Sequence, residues 1–389
     1  MYVAIWEFWH SKSWSYRFIR ILVLATLGWW VISWSGMLVK AEIRWESEWP
    51  KTDFSQTAVD LNEIMSGGPP KDGIPAIDDP KFVSSEDADG WLDAREPVIV
   101  IQYQGHARAY PLQILIYHEI VNDTFRGLPI SVTFCPLCNA SIVFDRRVNG
   151  KLLDFGTTGK LRKSDLVMYD RQTESWWQQF IGACIVGEYM GTKLKEVPSQ
   201  IVAYEDFKKA YPSGEILSKE TGYRRSYGRN PYRGYDRIGD QPFLFTDPVD
   251  KRLPAMERVL GVIRKGRSRI YPYSELKERG VINDEFAGLP LVIIHDRSVL
   301  SVLDAGTIAS SRLIPAANGF DRRIDDRVLN FELSGDNVID RETGTQWNGL
   351  GQAVAGPLKG KHLIGIDAGA HFAFAWLAFR PDSEIYKGK

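Results

Sequence analysis

The sequence predicts a mainly β chain with a few helices, an α+β fold. It is expected to form two tandem sandwich- or barrel-like units behind one N-terminal transmembrane helix. Three observations predict this. The first is a charge-free apolar run near the N-terminus, Ile21–Val39, between Arg20 and Lys40. The second is an internal repeat, in which Glu96–Thr133 matches Glu257–Ile294 without a gap. The third is a succession of short β-branched runs separated by Gly, Asn and Pro turns, the pattern of sheet rather than of long helices.

The apolar run would span roughly 28 Å as a helix, close to the hydrocarbon thickness of a bilayer. Eight of the chain's thirteen Trp lie in the first 49 residues, on both sides of and within this run, which suits anchoring at the headgroup level. Basic residues flank it evenly: Lys12, Arg17 and Arg20 before, Lys40, Arg44 and Lys51 after. Its N-terminal position therefore sets the orientation, as in an export signal too long to be a cleaved one. The expectation is an uncleaved anchor at residues 1–40 in the inner (cytoplasmic) membrane, crossing once, with the bulk of the chain periplasmic or otherwise extracytoplasmic. Residues 41–94 would be spacer and the start of the first unit, with Gly67–Pro80 as its Gly/Pro-rich part.

The repeat places the first unit at 95–221 and the second at 256–389. Gly105/Gly266, Arg108/Arg269, Tyr110/Tyr271, Pro111/Pro272, Asn122/Asn283 and Asp123/Asp284 are identical pairs. The turn Gly127-Leu128-Pro129 returns as Gly288-Leu289-Pro290, and after gaps Asp170-Arg171 and Trp177 return as Asp340-Arg341 and Trp347. Within the first unit, Val98–Tyr103 and Ala107–Tyr110 suggest a hairpin, and Pro111 opens a short helix toward Asn122-Asp123. Ile130–Phe134 and Ala140–Phe144 are strands around a Cys-containing turn. Val148-Asn149-Gly150-Lys151 is a hairpin signal. Leu166–Tyr169 and Ala183–Gly187 are further strands, and Tyr204–Tyr211 is a helix.

Residues 222–255 join the units and carry Arg224, Arg225, Arg229, Arg233 and Arg237 among Tyr223, Tyr227, Tyr232 and Tyr235. The bland expectation is an ordered connection whose Tyr pack on both units while Arg pair with Asp236, Asp240 and Asp247. The sharper one is an anion- or nucleic-acid-binding strip using guanidinium and ring stacking, with an exported location speaking against nucleic acid. Net charge is −1, from 48 Lys+Arg against 49 Asp+Glu, so no global field recruits nucleic acid, and none is expected as a partner. Three cysteines are too few for a disulfide scaffold.

Chemistry concentrates in His118-Glu119-Ile120-Val121-Asn122-Asp123 and Cys135-Pro136-Leu137-Cys138. Asn122 and Asp123 recur in the second unit, so they read as structural residues that cap the turn after the helix. His118, Glu119, Cys135 and Cys138 face Arg279, Gly280, Asp296 and Val299 instead. Groups present in one copy only are not needed to build the fold, so they mark a site.

Three readings of the Cys pair stand. One is a transition-metal site, copper ahead of zinc, with Cys135, Cys138, His118 and Met168 as ligands and Glu119, Asp123 and Cys184 as accessory residues. It would serve metal handling, electron transfer or assembly of a membrane redox or transport complex. Another is a thiol–disulfide oxidoreductase in which Cys135 attacks and Cys138 resolves. The third is an accessory subunit with a structural disulfide across the turn. Cys184 alone reads as a buried strand thiol, His106 as surface, and His295 with Asp296 as a vestigial or different site. Gln178 and Gln179 are candidates to present amides to a ligand.

With these residues in hand, the chain resembles a bacterial and archaeal family known as domain of unknown function 3179. The matching stretches are 69–76, Ala109-Tyr110-Pro111, His118–Asp123, Cys135–Cys138, Leu166–Asp170 and Trp177-Gln178. The likeness covers roughly residues 65–385, and it implies membership without implying an activity.

Overall fold

A computed structural model describes residues 45–388, the side chains of 296–298 excepted. The expected anchor, residues 1–40, lies outside the described residues. Among the described residues no helix is long and apolar enough to cross a membrane. Of the described residues, 45–54 fall in one unit and 55–388 in a second, which holds all the described strands.

The architecture of this second unit is mainly β, with short helices at the strand ends. Pro97–Tyr103 and His106–Pro111 form the expected hairpin, turning on Gln104-Gly105, and Pro111 leads into the helix Leu112–His118. Asn149 and Gly150, both at positive φ, turn the hairpin Arg147–Val148/Lys151–Leu152. This is the geometry that Asn-Gly supplies at little steric cost. Asn122 and Asp123 sit in the strand Ile120–Phe125 rather than capping a turn.

Three larger open sheets are built from residues 82–217 with the N-terminal strand Ile64–Ser66, and three more from 258–385. Their strand orders correspond. Gln200–Ala203, Pro97–Tyr103, His106–Pro111 and Glu215–Leu217 lie side by side in that order. So do Ala368–Phe372, Arg258–Arg264, Arg267–Pro272 and Glu384–Ile385. Lys195–Glu196, Ala140–Asp145, Leu128–Cys135 and Ile120–Phe125 are likewise matched by Ile364–Gly365, Leu313–Asp321, Leu289–Leu300 and Val281–Phe286. None of these sheets closes into a barrel, so the barrel-like alternative is set aside.

The framework contacts correspond as well. Asp123 accepts from Arg108 at 2.7 Å and Tyr110 Oη at 2.5 Å, and Asp284 accepts from Arg269 at 2.5 Å and Tyr271 Oη at 2.9 Å. Asn122 bonds both the carbonyl and the N–H of Phe155, as Asn283 does with Phe331. Asp170 caps its turn through Thr173 and takes Trp177 Nε1–H at 3.0 Å; Asp340 does the same with Thr343 and Trp347 at 2.9 Å. Each of these carboxylates is buried and hydrogen-bonded, which is the condition under which a buried charge is tolerated. The main hydrophobic cluster runs across both sets of sheets, from Ile99, Phe134 and Trp177 to Phe372, Phe374 and Trp376.

Two expectations about connecting segments need correction. Residues 67–80 are no free spacer. Ile77 is buried and exchanges backbone bonds with Ile120 and Asn122, while Asp72 accepts from Tyr169 Oη. In the linker, Tyr227, Tyr232 and Tyr235 pack against the main core as expected. Arg252 pairs with Asp250, but the arginines interleaved with the tyrosines do not pair with Asp236, Asp240 or Asp247. Asp236 turns inward to Arg258 and Arg312, Asp247 bonds Lys163, and among the described residues Arg224, Arg225, Arg229, Arg233 and Arg237 form no ion pair. These three Tyr take the inner side of the segment, which leaves its Arg on the solvent side.

Candidate functional site

Cys135 ends the strand Leu128–Cys135 and pairs with Ala140, which leaves Pro136-Leu137-Cys138-Asn139 as a four-residue turn. Asn139 takes positive φ to close it. The turn is pinned from two sides. Phe372 N–H donates to the Cys138 carbonyl at 2.8 Å, and Tyr235 Oη from the linker donates to the Leu137 carbonyl at 3.0 Å. Both cysteines are free thiols with Sγ atoms 3.6 Å apart. A disulfide would require about 2.0 Å, whereas two thiolates on one tetrahedral zinc ion stand roughly 3.8 Å apart.

A third group meets them that the sequence did not nominate. Asp165 lies with Cys135 and Cys138 in a buried cluster whose donor atoms are all within 4.8 Å of one another. It is delivered by the hairpin Phe155–Arg162/Asp165–Asp170, which turns through Lys163 and Ser164, both at positive φ. The Ser164 carbonyl accepts from the Cys138 thiol at 3.2 Å, and Ser164 Oγ donates to the Phe243 carbonyl of the linker at 2.5 Å. Asp165 Oδ1 is fixed by Gln178 Nε2 at 2.5 Å and Phe180 N–H at 3.0 Å. Its Oδ2 is buried without a hydrogen-bond partner, as are Gln178 Oε1 and Gln179 Oε1. Gln178 thus presents its amide to a carboxylate that faces the sulfurs, and Gln179 donates to Thr133 Oγ1 at 2.8 Å instead.

Glu119 follows the helix Leu112–His118 at φ +58, a left-handed conformation that favours glycine. The corresponding position in the second half is Gly280, at φ +70. The backbone surroundings match: Glu119 N–H bonds Leu115 and its carbonyl accepts from Phe134, just as Gly280 bonds Leu276 and His295. The first half therefore holds a strained glutamate where glycine would do. Strain at one of two equivalent positions points to a role for the side chain.

The electrostatics of the cluster are one-sided. Burial pushes Glu119 up to about 8, with the Asp165 carboxylate adding to the shift. Burial pushes Asp165 up to about 7. It also raises Cys135 and, further, Cys138. Tyr232 of the linker packs against the main core and is raised by burial and then by Glu119 and Cys135. Among the described residues no Lys, Arg or His side chain bonds to Glu119, Cys135, Cys138 or Asp165. Two thiols and a carboxylate meet without a cation, and Glu119 is near enough to be raised by Asp165 and to raise Cys135.

The other expected residues are placed elsewhere. His118 Nδ1–H donates to the Pro75 carbonyl and Nε2 accepts from Tyr227 Oη, both at 2.7 Å, so neither nitrogen is left for a metal. Burial lowers its pKa to about 4, consistent with a neutral ring. Met168 is fully buried on the strand Asp165–Asp170, three positions from Asp165 and so on the opposite face of the pleat. Asp123 belongs to the Arg108/Tyr110 framework. Cys184 donates to the Val186 carbonyl at 3.4 Å, and burial pushes its thiol up to about 12.

Residues 71–383 match the family described as "Protein of unknown function (DUF3179)". The chain belongs to that family. A comparison with curated proteins and one with solved structures each found no match. The family match spans both halves and takes in every residue of the cluster, Glu119, Cys135, Cys138 and Asp165, together with the linker that covers it.

Proposed function

We propose that this chain is a metalloprotein whose centre is held by Cys135, Cys138 and Asp165. The observation that carries the reading is the buried convergence of two thiols and a carboxylate with an unbonded oxygen and no cation. A donor set of two thiolates and one carboxylate suits a borderline divalent ion, which places zinc ahead of copper; the expected Met168 would have favoured copper. Three protein donors leave a fourth position, the layout of a zinc centre that handles a ligand. Glu119, coupled to Asp165, is the group beside it suited to take or give a proton near neutral pH.

Thiol–disulfide exchange is the weaker alternative, because both cysteines are buried and their thiols are raised rather than lowered. We read the two halves as tandem copies of one unit, supported by their matched strand orders, with the site in the first copy only. We read residues 1–40 as a membrane anchor that leaves the rest outside the cytoplasm; the charge-free run supports this.

The test is elemental analysis of the full chain purified without chelators, beside Cys135→Ser/Cys138→Ser and Asp165→Asn. About one zinc per chain, lost in the double variant and reduced in Asp165→Asn, is the expected result. Absence of metal after reconstitution under reducing conditions removes the proposal and leaves the accessory-subunit reading.

A further inference from the structure

The linker has two faces, and the metal reading uses only one. Its Tyr232 and Tyr235 pack inward against the main core, Tyr235 bonding the Cys turn at Leu137. Its arginines point outward: Arg224, Arg225, Arg229, Arg233 and Arg237 are all exposed. Arg225, Arg229, Arg233 and Arg237 recur at every fourth position. Arg229 donates to the hydroxyl of Thr307, a neutral partner that leaves its charge uncompensated. Of the two aspartates between Gly222 and Gln241, Asp236 is fully buried and already held by Arg258 and Arg312. The segment is held in place along the loop 303–308, through bonds of Asn230 to Gly306, Gly234 to Asp304 and Tyr235 to Leu303. The charges are thus presented on an ordered ridge and not on a free tail.

The same segment exposes large apolar side chains. Tyr223 is 45%, Phe243 53% and Ile238 59% exposed. A surface that serves only a soluble polyanion has no use for exposed Ile and Phe. Arginines interleaved with outward aromatic and aliphatic groups fit the interface of an anionic bilayer, where guanidinium meets phosphate and the apolar groups enter the headgroup layer.

We infer that residues 222–245 form a membrane-contact ridge, recognising the phosphate headgroups of anionic lipid through Arg225, Arg229, Arg233 and Arg237 and inserting Ile238 and Phe243. This stands on the linker's outer face and does not depend on the metal centre.

The test is hydrogen exchange of 222–245 in the full chain with lipid nanodiscs of phosphatidylcholine alone or with phosphatidylglycerol added. Exchange about tenfold slower on the anionic discs, reversed by about 0.5 M NaCl, is expected. The variant Arg225→Gln/Arg229→Gln/Arg233→Gln should lose the difference while exchange in Leu128–Cys135 stays as slow as in the parent, showing an intact core. Ile238→Ser/Phe243→Ser should weaken the protection without changing charge. Equal exchange on both discs overturns the inference. So does equal protection by soluble inorganic pyrophosphate on phosphatidylcholine discs, which would make the ligand a free anion.

Discussion

The first half, residues 97–217, and the second, 258–385, share their strand orders and their buried polar framework but not their chemistry. Asp123 and Asp284, Asn122 and Asn283, Asp170 and Asp340 do the same work in each. The differences gather in one place. Glu119 stands where the second half has Gly280. The strand Leu128–Cys135 stops at the Cys turn, whereas Leu289–Leu300 runs on past the same point. The hairpin Phe155–Asp170 is six residues longer than Phe331–Asp340, because Phe155 and Phe331 are 176 apart while Asp170 and Asp340 are 170 apart. What is matched builds the scaffold. Among what is unmatched, Cys135, Cys138 and Asp165 meet in one buried cluster, with Glu119 electrostatically close to it, and this difference between the halves is what the proposed site rests on.

Equal framework changes should do equal damage in the two halves. Asp170→Ala leaves Trp177 Nε1–H and Thr173 unpaired in a buried position, and Asp340→Ala does the same to Trp347 and Thr343. Each should destabilise by about 3 kcal/mol or more in urea denaturation. A large loss in one and none in the other would break the equivalence on which the site was isolated.

The next effect belongs to the first half alone. Glu119 and Asp165 have pKa values raised to about 8 and about 7, above their unfolded values near 4. Between those limits these two groups bind more protons folded than unfolded, so their contribution to the stability of the metal-free protein falls as pH rises from about 4.5 to about 8. Glu96, raised to about 7, adds to this, while His118 and His371, lowered to about 4 and about 3, oppose it below about pH 6.5. On the proposed metal reading zinc should reverse the sign, since its donors must lose protons to bind it and its stabilisation grows over the same range. Urea midpoints with and without chelator across this range measure both slopes. In Glu119→Gln/Asp165→Asn the share of the metal-free slope that these two groups supply should vanish, leaving that of Glu96, His118 and His371.

Much of the scaffold was legible in the sequence. Identical pairs such as Asp123/Asp284 marked the framework, and Asn149-Gly150 and Pro111 fixed local geometry that the structure retains. The cysteines stood out because the second half lacks them, and the structure brings them together with Asp165. Asp165 was not. No motif flags a lone aspartate, and it meets the sulfurs only because a lengthened hairpin folds over the turn. The gap in the repeat register between Phe155 and Asp170 was the one signal for it. His118 was misleading because adjacency to Glu119 in sequence places consecutive side chains apart: the helix end sends His118 to Pro75 and Tyr227 and Glu119 into the cluster.

A support residue should show a smaller effect than a donor. Gln178 holds Asp165 Oδ1 and touches no sulfur. Gln178→Ala should keep the fold and weaken zinc binding by about 10–100-fold, as loss of an orienting bond does elsewhere. Competition with a chromogenic chelator reads this directly. Unchanged affinity would mean that Phe180 N–H alone orients the carboxylate.

The smallest effect is the most discriminating. Glu119 occupies a left-handed conformation that its counterpart assigns to glycine, so Glu119→Gly relieves backbone strain and removes a buried carboxyl. Against this stands the greater freedom of glycine in the unfolded chain. The net expectation is a metal-free protein more stable by about 1 kcal/mol. The reciprocal Gly280→Glu should destabilise, since a Cβ there would collide with Leu333 Cδ1. If Glu119 serves the centre, the more stable variant must also bind or use the metal less well. A Glu119→Gly protein that gained stability and kept every property of the zinc centre would show that the strain has no function, and the site would shrink to Cys135, Cys138 and Asp165.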